Sequence, residues 1–232
     1  MKRPRIALTQ SAGRLEGLAP LLEARGFEVV RRPLIETVPR TDARTSSAAA
    51  KLSALPWLLL TSPATVEALN ALGVDMSTAR IGAVGPATAE AATEAIAGSG
   101  GRVELVAVPN NADGLARAFL AHPQACGPVG LPRGNRALDT LERILGEAGI
   151  ATFPVVVYDA RTLVWRDGAV DAVVLGSPSA VEALPDEVAR GGRVVTLGGT
   201  TSVAARARGW LCEEAQAPTA EATLAAVERV LV

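Results

Sequence analysis

The chain has 232 residues, of which 49% are hydrophobic and only 3% aromatic, and its formal net charge is −1. That length suits two domains of roughly 100 to 120 residues, and the aliphatic composition suits parallel sheets covered by helices. The near-neutral charge and the lack of a basic block disfavour nucleic-acid binding. Two cysteines and one histidine make neither a disulfide framework nor a zinc site.

Residues 1–10 are basic but lead into an apolar run that is too short for a signal peptide. No later stretch approaches the length of a membrane span. We therefore expect a cytoplasmic protein with no membrane partner.

The first predicted unit, residues 6–36, aligns without gaps with residues 129–159. Both read as a strand, a Gly-containing loop, a helix with regularly spaced leucines, and a second strand. The leucines are Leu15, Leu18 and Leu22 in the first unit and Leu138, Leu141 and Leu145 in the second. Gly26 and Gly149 follow these helices, where a residue that adopts positive φ freely typically ends a helix.

A second repeat joins residues 58–69 (LLLTSPATVEAL) to residues 173–184 (VVLGSPSAVEAL), which are identical at seven of twelve positions. Each apolar run predicts a buried strand. The Ser-Pro that follows predicts a helix start, with Ser62 or Ser177 as the N-cap and proline at the first helical position.

A third repeat relates residues 81–92 to residues 194–205: each reads as a strand, a tight Gly turn and an alanine-rich helix. Final helices are predicted near residues 112–120 and 219–230. Strands that alternate with helices throughout predict an α/β fold with parallel sheets and helices on both faces.

The lengths of the connections predict which segments fold together. Residues 121–128 form a short connection, whereas residues 37–54 and 160–169 read as longer polar linkers. Short connections normally stay inside a domain and longer polar ones cross between domains.

We therefore predict two lobes rather than a simple tandem pair. Lobe 1 is discontinuous and combines residues 1–36 with residues 160–232, and lobe 2 is residues 37–159. A two-stranded hinge at about residues 34–40 and 156–163 joins them, so we expect Ser62 and Ser177 to face each other across a cleft.

Four predicted helix starts follow strands, and ligands of open α/β sheets bind beyond the carboxyl ends of the strands. A carboxylate at a helix start gains about 0.3–1 kcal/mol from the helix dipole when exposed. Any single start can be an ordinary cap, but four together indicate a polyanionic ligand. The candidate binding residues are Ser62, Gly85, Thr88, Ser177, Gly199, Thr200 and Thr201.

Two further side chains are candidates for the site. Tyr158, the only tyrosine, ends a predicted strand beside the hinge and can donate a hydrogen bond or act as an acid, although such a tyrosine more often only packs. Arg133, in the predicted loop after a strand, is a plausible partner for a carboxylate, although a solvated arginine is an equal alternative. Gln10 takes its place in the first unit, and His122 is assigned to the surface.

Several familiar chemistries lack their motifs. The chain has neither a G-x-G-x-x-G after a strand nor a P-loop motif, which disfavours dinucleotide and P-loop nucleotide binding. It has no G-x-S-x-G elbow, and a single histidine disfavours a hydrolase triad. The central strands end in Thr-Ser and Gly-Ser rather than in the acidic residue that a receiver domain needs.

The order and spacing of these motifs resemble the uroporphyrinogen-III synthase family over nearly the whole chain. The segments that carry the resemblance are Thr61-Ser62-Pro63-x-x-Val66, Val84-Gly85-Pro86-Ala87-Thr88-Ala89, Pro109 to Leu115, Leu131 to Gly134, Val157-Tyr158, Ser177-Pro178-x-x-Val181 and Leu197-Gly198-Gly199-Thr200-Thr201. The resemblance implies two flavodoxin-like lobes joined by two strands, the same arrangement that the linkers predict.

The resemblance also implies an activity. The family cyclises hydroxymethylbilane to uroporphyrinogen III in haem biosynthesis, with inversion of ring D and loss of water. It is a cyclising lyase without a cofactor or metal, and it tends to be monomeric. Its substrate carries eight carboxylates, which matches the helix starts, and the upstream deaminase is the expected donor of that substrate.

By the same resemblance, Tyr158 corresponds to a recurrent active-site tyrosine, and Thr88 and Thr201 to threonines that face the cleft. Our hypothesis for Tyr158 is that it assists departure of the hydroxyl. The chain departs from the family at residues 9–11, where Thr-Gln-Ser replaces a common Thr-Arg-Pro. Gln10 cannot supply the usual cation.

Two other functions stay open from the sequence. Two hinged α/β lobes equally suit a non-catalytic protein that binds a small anion or a sugar. A regulatory domain that kept the synthase fold and lost its activity is the second alternative.

Overall fold

The computed structural model describes residues 3–10, 15 and 17–231. The strands are β1 (Arg5–Leu8), β2 (Glu28–Arg31), β3 (Ile35–Pro39), β4 (Trp57–Leu60), β5 (Arg80–Ala83), β6 (Arg102–Val106), β7 (Val129–Gly134), β8 (Thr152–Thr162), β9 (Ala172–Leu175), β10 (Arg193–Thr196) and β11 (Cys212–Glu214). The helices are α1 (Leu18–Ala24), α2 (Ala43–Ala50), α3 (Pro63–Ala71), α4 (Pro86–Ala95), α5 (Ala112–Leu120), α6 (Thr140–Glu147), α7 (Pro178–Ala183), α8 (Asp186–Gly191), α9 (Gly199–Ala207) and α10 (Ala220–Leu231).

The chain forms two compact units. Unit 1 comprises Met1–Glu36 and Arg161–Val232, and unit 2 comprises Thr37–Ala160. The chain passes between them inside β3 and inside β8, which are neighbours in one sheet. The second passage lies one residue later than the predicted lobe boundary, and a hinge role for these two strands stays a prediction.

Unit 1 is built on a five-stranded sheet in the order β11-β10-β9-β1-β2, with parallel ladders between neighbours. Counted within the unit, this order is 5-4-3-1-2, which is that of flavodoxin-like sheets. Side chains of β1 alternate between the faces: Ile6 and Leu8 pack with α1 and α10, whereas Ala7 packs with residues of α7, α8 and α9. Helices therefore cover both faces of the sheet.

Unit 2 repeats the same design with a permuted chain. Its six-stranded sheet has the order β3-β8-β7-β4-β5-β6, so β7 and β8 stand where β1 and β2 stand in unit 1. All four residues of β4 are buried: Leu58 and Leu60 face α2, α3 and α4, whereas Trp57 and Leu59 face α5 and α6. The Trp57 ring meets the Phe119 ring edge-on, with centroids 5.2 Å apart. The predicted α/β class with parallel sheets and helices on both faces is confirmed.

Details of the first repeat differ from the prediction. Gly26 and Gly149 have positive φ, 84° and 76°, and end α1 and α6 as expected. Leu15 and Leu138, however, lie before these helices rather than inside them, and Leu138 is 81% exposed. In each unit, the first of the three regularly spaced leucines therefore lies before the N-terminus of the helix rather than in it.

The predicted linker at residues 37–54 is also more ordered than expected, because it contains the end of β3, all of α2 and a 3₁₀ turn. Asp42 is the N-cap of α2 and accepts hydrogen bonds from the Thr45 N–H and hydroxyl. These bonds hold the pKa of the Asp42 carboxyl below its ordinary value. Small residues in this stretch form a helix, not only a flexible connection.

Within the described part of the chain, no helix combines the length and the apolar character that a membrane crossing requires.

Candidate active site

The carboxyl ends of the unit 2 strands bring several predicted site residues to one edge. β4, β5, β7 and β8 run parallel, so Ser62, Gly85 and Gly134 follow or end neighbouring strands at that edge. Tyr158 lies opposite Gly134 in the β7–β8 ladder. Tyr158 therefore sits inside β8, which continues to Thr162, and not at the end of a strand as predicted.

Three hydroxyl groups meet at this edge, and we call Ser62, Thr65 and Tyr158 the hydroxyl cluster. The Ser62 Oγ lies 3.1 Å from the Tyr158 hydroxyl oxygen and 3.0 Å from the Thr65 Oγ1. The same Ser62 Oγ accepts a hydrogen bond from the Thr65 N–H at 3.2 Å, which makes it the N-cap of α3. Thr65 is fully buried, whereas Tyr158 is half-buried. The structure thus joins two predicted residues that are 96 positions apart.

Gly134 is a fourth residue of this arrangement, and it was not among the candidate site residues predicted from the sequence. A Cβ at Gly134 would lie 2.6 Å from two ring carbons of Tyr158 and 2.9 Å from its hydroxyl oxygen. The tyrosine ring therefore packs directly on the glycine backbone. The sequence signal for this role is a glycine at the end of the strand that pairs with the tyrosine strand.

The start of α4 provides backbone donors at the same edge. Its N-cap is Gly85, which has no side chain to accept a hydrogen bond from the first-turn amides, and Ala87 in that turn is exposed. Pro86 has no N–H and the Thr88 N–H donates to the Gly85 carbonyl oxygen at 3.1 Å, so the Ala87 N–H is the amide that points toward the helix start. The Thr88 side chain, predicted to bind substrate, is only 2% exposed.

Arg133 lies within β7 rather than in the loop after it, which corrects the predicted position. Its guanidinium forms an ion pair with Glu142 of α6. Both side chains are partly buried, so the charge is balanced inside unit 2. Binding of a substrate carboxylate by Arg133 stays a prediction, and it would have to compete with Glu142.

Unit 1 has a corresponding edge of its own. Ser177 is the N-cap of α7, where its Oγ accepts from the Ala180 N–H at 3.2 Å and lies 3.0 Å from the Ser179 Oγ. At the start of α9, Gly199 and Thr200 are exposed, whereas Thr201 is 3% exposed.

The Gln10 side chain also lies at the unit 1 edge, where its amide donates a hydrogen bond to the Val174 carbonyl oxygen at 3.2 Å. This neutral amide is tied to the backbone of β9 and supplies no cation. The neighbouring Ser11, part of the departure from the family pattern, lies outside the described residues.

A hydrogen-bonded chain of side chains lies beside α9 and was not predicted from the sequence. The Thr196 Oγ1 lies 2.7 Å from the Ser202 Oγ, which in turn donates to the Glu214 Oε2 at 2.6 Å. Thr196 and Ser202 are fully buried. An acidic residue at the end of the last strand was the available signal.

Hydroxyls and backbone amides thus dominate both edges. Among residues 3–10, 15 and 17–231, no group of three or more His, Cys, Asp or Glu side chains is placed to hold a metal ion. Groups of this kind can donate hydrogen bonds to a leaving oxygen and to carboxylates, and they do so from fixed positions.

The family model described as uroporphyrinogen-III synthase HemD matches residues 16–225. This chain belongs to the uroporphyrinogen-III synthase family. The resemblance expected from the sequence is confirmed, and with it the class of cyclising lyases in porphyrin and haem biosynthesis. No curated protein sequence gives a significant match.

Two solved synthase structures share the fold. A mutant uroporphyrinogen III synthase from the extremely thermophilic bacterium Thermus thermophilus is 22% identical, with a TM-score of 0.66 and 98% of each chain covered. The uroporphyrinogen-III synthetase of Helicobacter pylori is 14% identical, with a TM-score of 0.64 and 99% of this chain and 100% of that chain covered. At these identities the likeness shows the synthase fold over nearly the whole chain.

Proposed function

We propose that this protein is an active uroporphyrinogen-III synthase, which cyclises hydroxymethylbilane to uroporphyrinogen III with inversion of ring D and loss of water. Membership of the family supports the enzyme rather than a non-catalytic anion-binding protein. The observation that carries the proposal is the 3.1 Å contact between the Tyr158 hydroxyl and Ser62 in a chain of that family.

The chemistry that we propose for Tyr158 is assistance to the leaving hydroxyl. An electron-rich pyrrole expels hydroxide readily, and a hydrogen bond from the tyrosine O–H to the leaving oxygen stabilises the charge that develops on it. Ser62 positions that hydroxyl, because its Oγ is itself fixed by the Thr65 N–H. The Tyr158 ring also packs on the backbone of Gly134, and this contact restricts the position of the ring.

The enzyme's other task is to hold a flexible, polyanionic chain in the geometry of ring closure. We propose that the helix starts at Ser62, Gly85 and Ser177 bind substrate carboxylates through backbone amides. Each such contact contributes about 0.3–1 kcal/mol when exposed and up to about 2 kcal/mol when partly buried. Since the net charge of the chain is −1, this attraction is local to the helix starts.

The remaining predicted contacts belong to the same proposal. Arg133 would bind a carboxylate in exchange for Glu142. Gly199, Thr200 and Thr201 would contact the substrate at the start of α9, and Thr88 would do so from α4. Because Thr88 and Thr201 are nearly buried, their contribution depends on a small exposed part of each side chain.

Because an electron-rich pyrrole expels hydroxide readily, we expect the free substrate to close without an enzyme as well, without inversion of ring D and therefore to the type I isomer. A brief lifetime in solution favours direct hand-over from the upstream deaminase, and we include that transfer, a cytoplasmic location and a monomeric state in the proposal. The test compares the two proteins mixed together with the two proteins held on opposite sides of a dialysis membrane. A smaller loss of substrate to the type I isomer in the mixture would support the hand-over.

The test of the proposed function is a separation of isomers. Freshly prepared hydroxymethylbilane is incubated with the protein, the product is oxidised, and the type I and type III uroporphyrins are separated by chromatography. We expect type III to dominate in proportion to the amount of protein. Type I alone, at the rate seen without protein, would contradict the enzyme proposal and favour the regulatory alternative that Gln10 leaves open.

A further inference from the structure

The start of α9 differs from the start of α4 because a carboxylate of the chain lies beside it. The Glu214 Oε1 is 3.7 Å from the position that a Cβ on Gly199 would take. In α4, whose N-cap Gly85 corresponds to Gly198 and not to Gly199, the side chain beside that N-cap is the neutral amide of Asn110, whose Cγ is 3.1 Å from the Gly85 Cβ position. The two repeat-related helix starts therefore present different charges to a ligand.

Hydrogen bonds fix the orientation of this carboxylate. An ionised Glu214 can only accept, so the Ser202 hydroxyl donates to its Oε2 at 2.6 Å. Since the Ser202 hydrogen is used in this way, the Thr196 hydroxyl donates to the Ser202 Oγ at 2.7 Å. Both hydroxyls are fully buried, which makes this a rigid support.

The second carboxylate oxygen, Oε1, has no hydrogen-bond donor among the described residues, and Glu214 forms no ion pair with them. The negative charge of Glu214 is then stabilised by the positive end of the α9 helix dipole, which lies nearby. A ligand carboxylate that approaches this helix start would meet a like charge, whereas an N–H group would meet a fixed acceptor.

We propose that Glu214 is a substrate-binding residue, whose Oε1 accepts a hydrogen bond from a pyrrole N–H and which keeps substrate carboxylates away from the start of α9. The inference rests on the proposed function, because the linear tetrapyrrole supplies the N–H groups. When the hydroxyl leaves, the pyrrole that carried it becomes electron-poor and its N–H a stronger donor. The carboxylate stabilises that species, while substrate carboxylates bind at helix starts without an acidic neighbour.

The first experiment compares Glu214→Gln with Glu213→Gln in the full chain. The glutamine amide in Glu214→Gln retains an oxygen for the Ser202 hydroxyl and loses the charge, whereas Glu213 pairs with Arg229 and serves as the matched control. We expect kcat for type III formation to fall about tenfold or more in Glu214→Gln, as for loss of a hydrogen bond to a charged group. KM should rise several-fold, because the bound substrate loses the same hydrogen bond, while the melting temperature should stay near the wild-type value and the control should retain its kcat.

A wild-type kcat in Glu214→Gln would overturn the proposal. So would a lower KM, because the hydrogen bond from the pyrrole N–H to Oε1 would then contribute nothing to substrate binding.

The second experiment measures binding without turnover and separates this proposal from the proposed function. The amide NMR signals of Gly199 and Thr200 are followed while two probes are added: a monopyrrole with one acetate and one propionate side chain, and glutarate, which has no N–H donor. We expect the monopyrrole to shift these signals in the wild type and several-fold less in Glu214→Gln, and we expect glutarate to leave the wild-type signals unshifted.

Shifts by glutarate in the wild type would overturn the assignment, as would no shift by the monopyrrole at millimolar concentration. If the wild type makes no type III isomer but the monopyrrole binds in this Glu214-dependent manner, the proposed function fails and the acceptor role of Glu214 stands.

Discussion

Replacement of Gly134 by alanine tests whether the position of the Tyr158 ring matters for catalysis. The new Cβ would lie 2.6 Å from two ring carbons, about 1 Å closer than an ordinary carbon–carbon contact. Gly134 has no positive φ, so alanine fits its backbone and the strain falls on the ring. A ring shift of about 1 Å would stretch the 3.1 Å contact with Ser62 beyond hydrogen-bond length.

A displacement of that size can reduce turnover by about 100-fold, and overpacking of this kind costs about 1–3 kcal/mol of stability. The assay is the single-turnover rate of type III formation, with the melting temperature measured in parallel. Gly146→Ala is the matched control, because no atom lies within 4 Å of its Cβ position, and it should keep full activity.

A double variant makes the reasoning refutable. If Gly134→Ala acts by moving the Tyr158 hydroxyl, it should add little to the loss already caused by Tyr158→Phe. Full activity of Gly134→Ala, or two losses that simply multiply, would refute the proposed link between this glycine and the tyrosine hydroxyl.

Three further outcomes are expected. Ser62→Ala and Ser177→Ala each remove an N-cap worth about 1 kcal/mol, which should lower the melting temperature by about 2–4 °C. Of the kinetic constants, Ser177→Ala should change only KM, which should rise, whereas Ser62→Ala should also lower kcat. Asp42→Asn should lower the stability of the protein to urea at neutral pH. Because the pKa of the Asp42 carboxyl is lower in the folded state than its ordinary value of 3.8, the stability difference between wild type and variant should be complete above pH 3.8. It should vanish as the pH falls through the folded-state pKa. Gly114→Ala should lower the urea midpoint, since its Cβ would overlap the backbone oxygen of Pro109; an unchanged midpoint would contradict this.

The strand and helix order was largely predictable because each local signal has a direct physical cause. Ser-Pro after an apolar run predicts a capped helix, and the Ser62 and Ser177 hydroxyls do accept from the Thr65 and Ala180 N–H groups. The assignment of β7 to the sheet of β4 follows from the short connection between α5 and β7, since a short connection leaves little choice of partner.

The composition of the site was less predictable, since it depends on register. Tyr158 meets Gly134 because the β7–β8 ladder shifts by one position between Arg133 and Gly134. No local pattern specifies such a shift. In the same way, the hydrogen bond between Glu214 of β11 and Ser202 of α9 depends on how that helix packs on an edge strand. The ion pair between Arg133 and Glu142 likewise depends on the packing of α6 beside β7.

The measurement that tests the central claim most directly is the single-turnover rate of type III formation by Tyr158→Phe and wild type, at equal concentration of folded protein. Loss of a group that assists the leaving hydroxyl should slow type III formation by about 100-fold, so that spontaneous type I becomes the main product. Wild-type rate and isomer ratio in Tyr158→Phe would contradict the account, because the hydroxyl cluster would then have no part in the reaction.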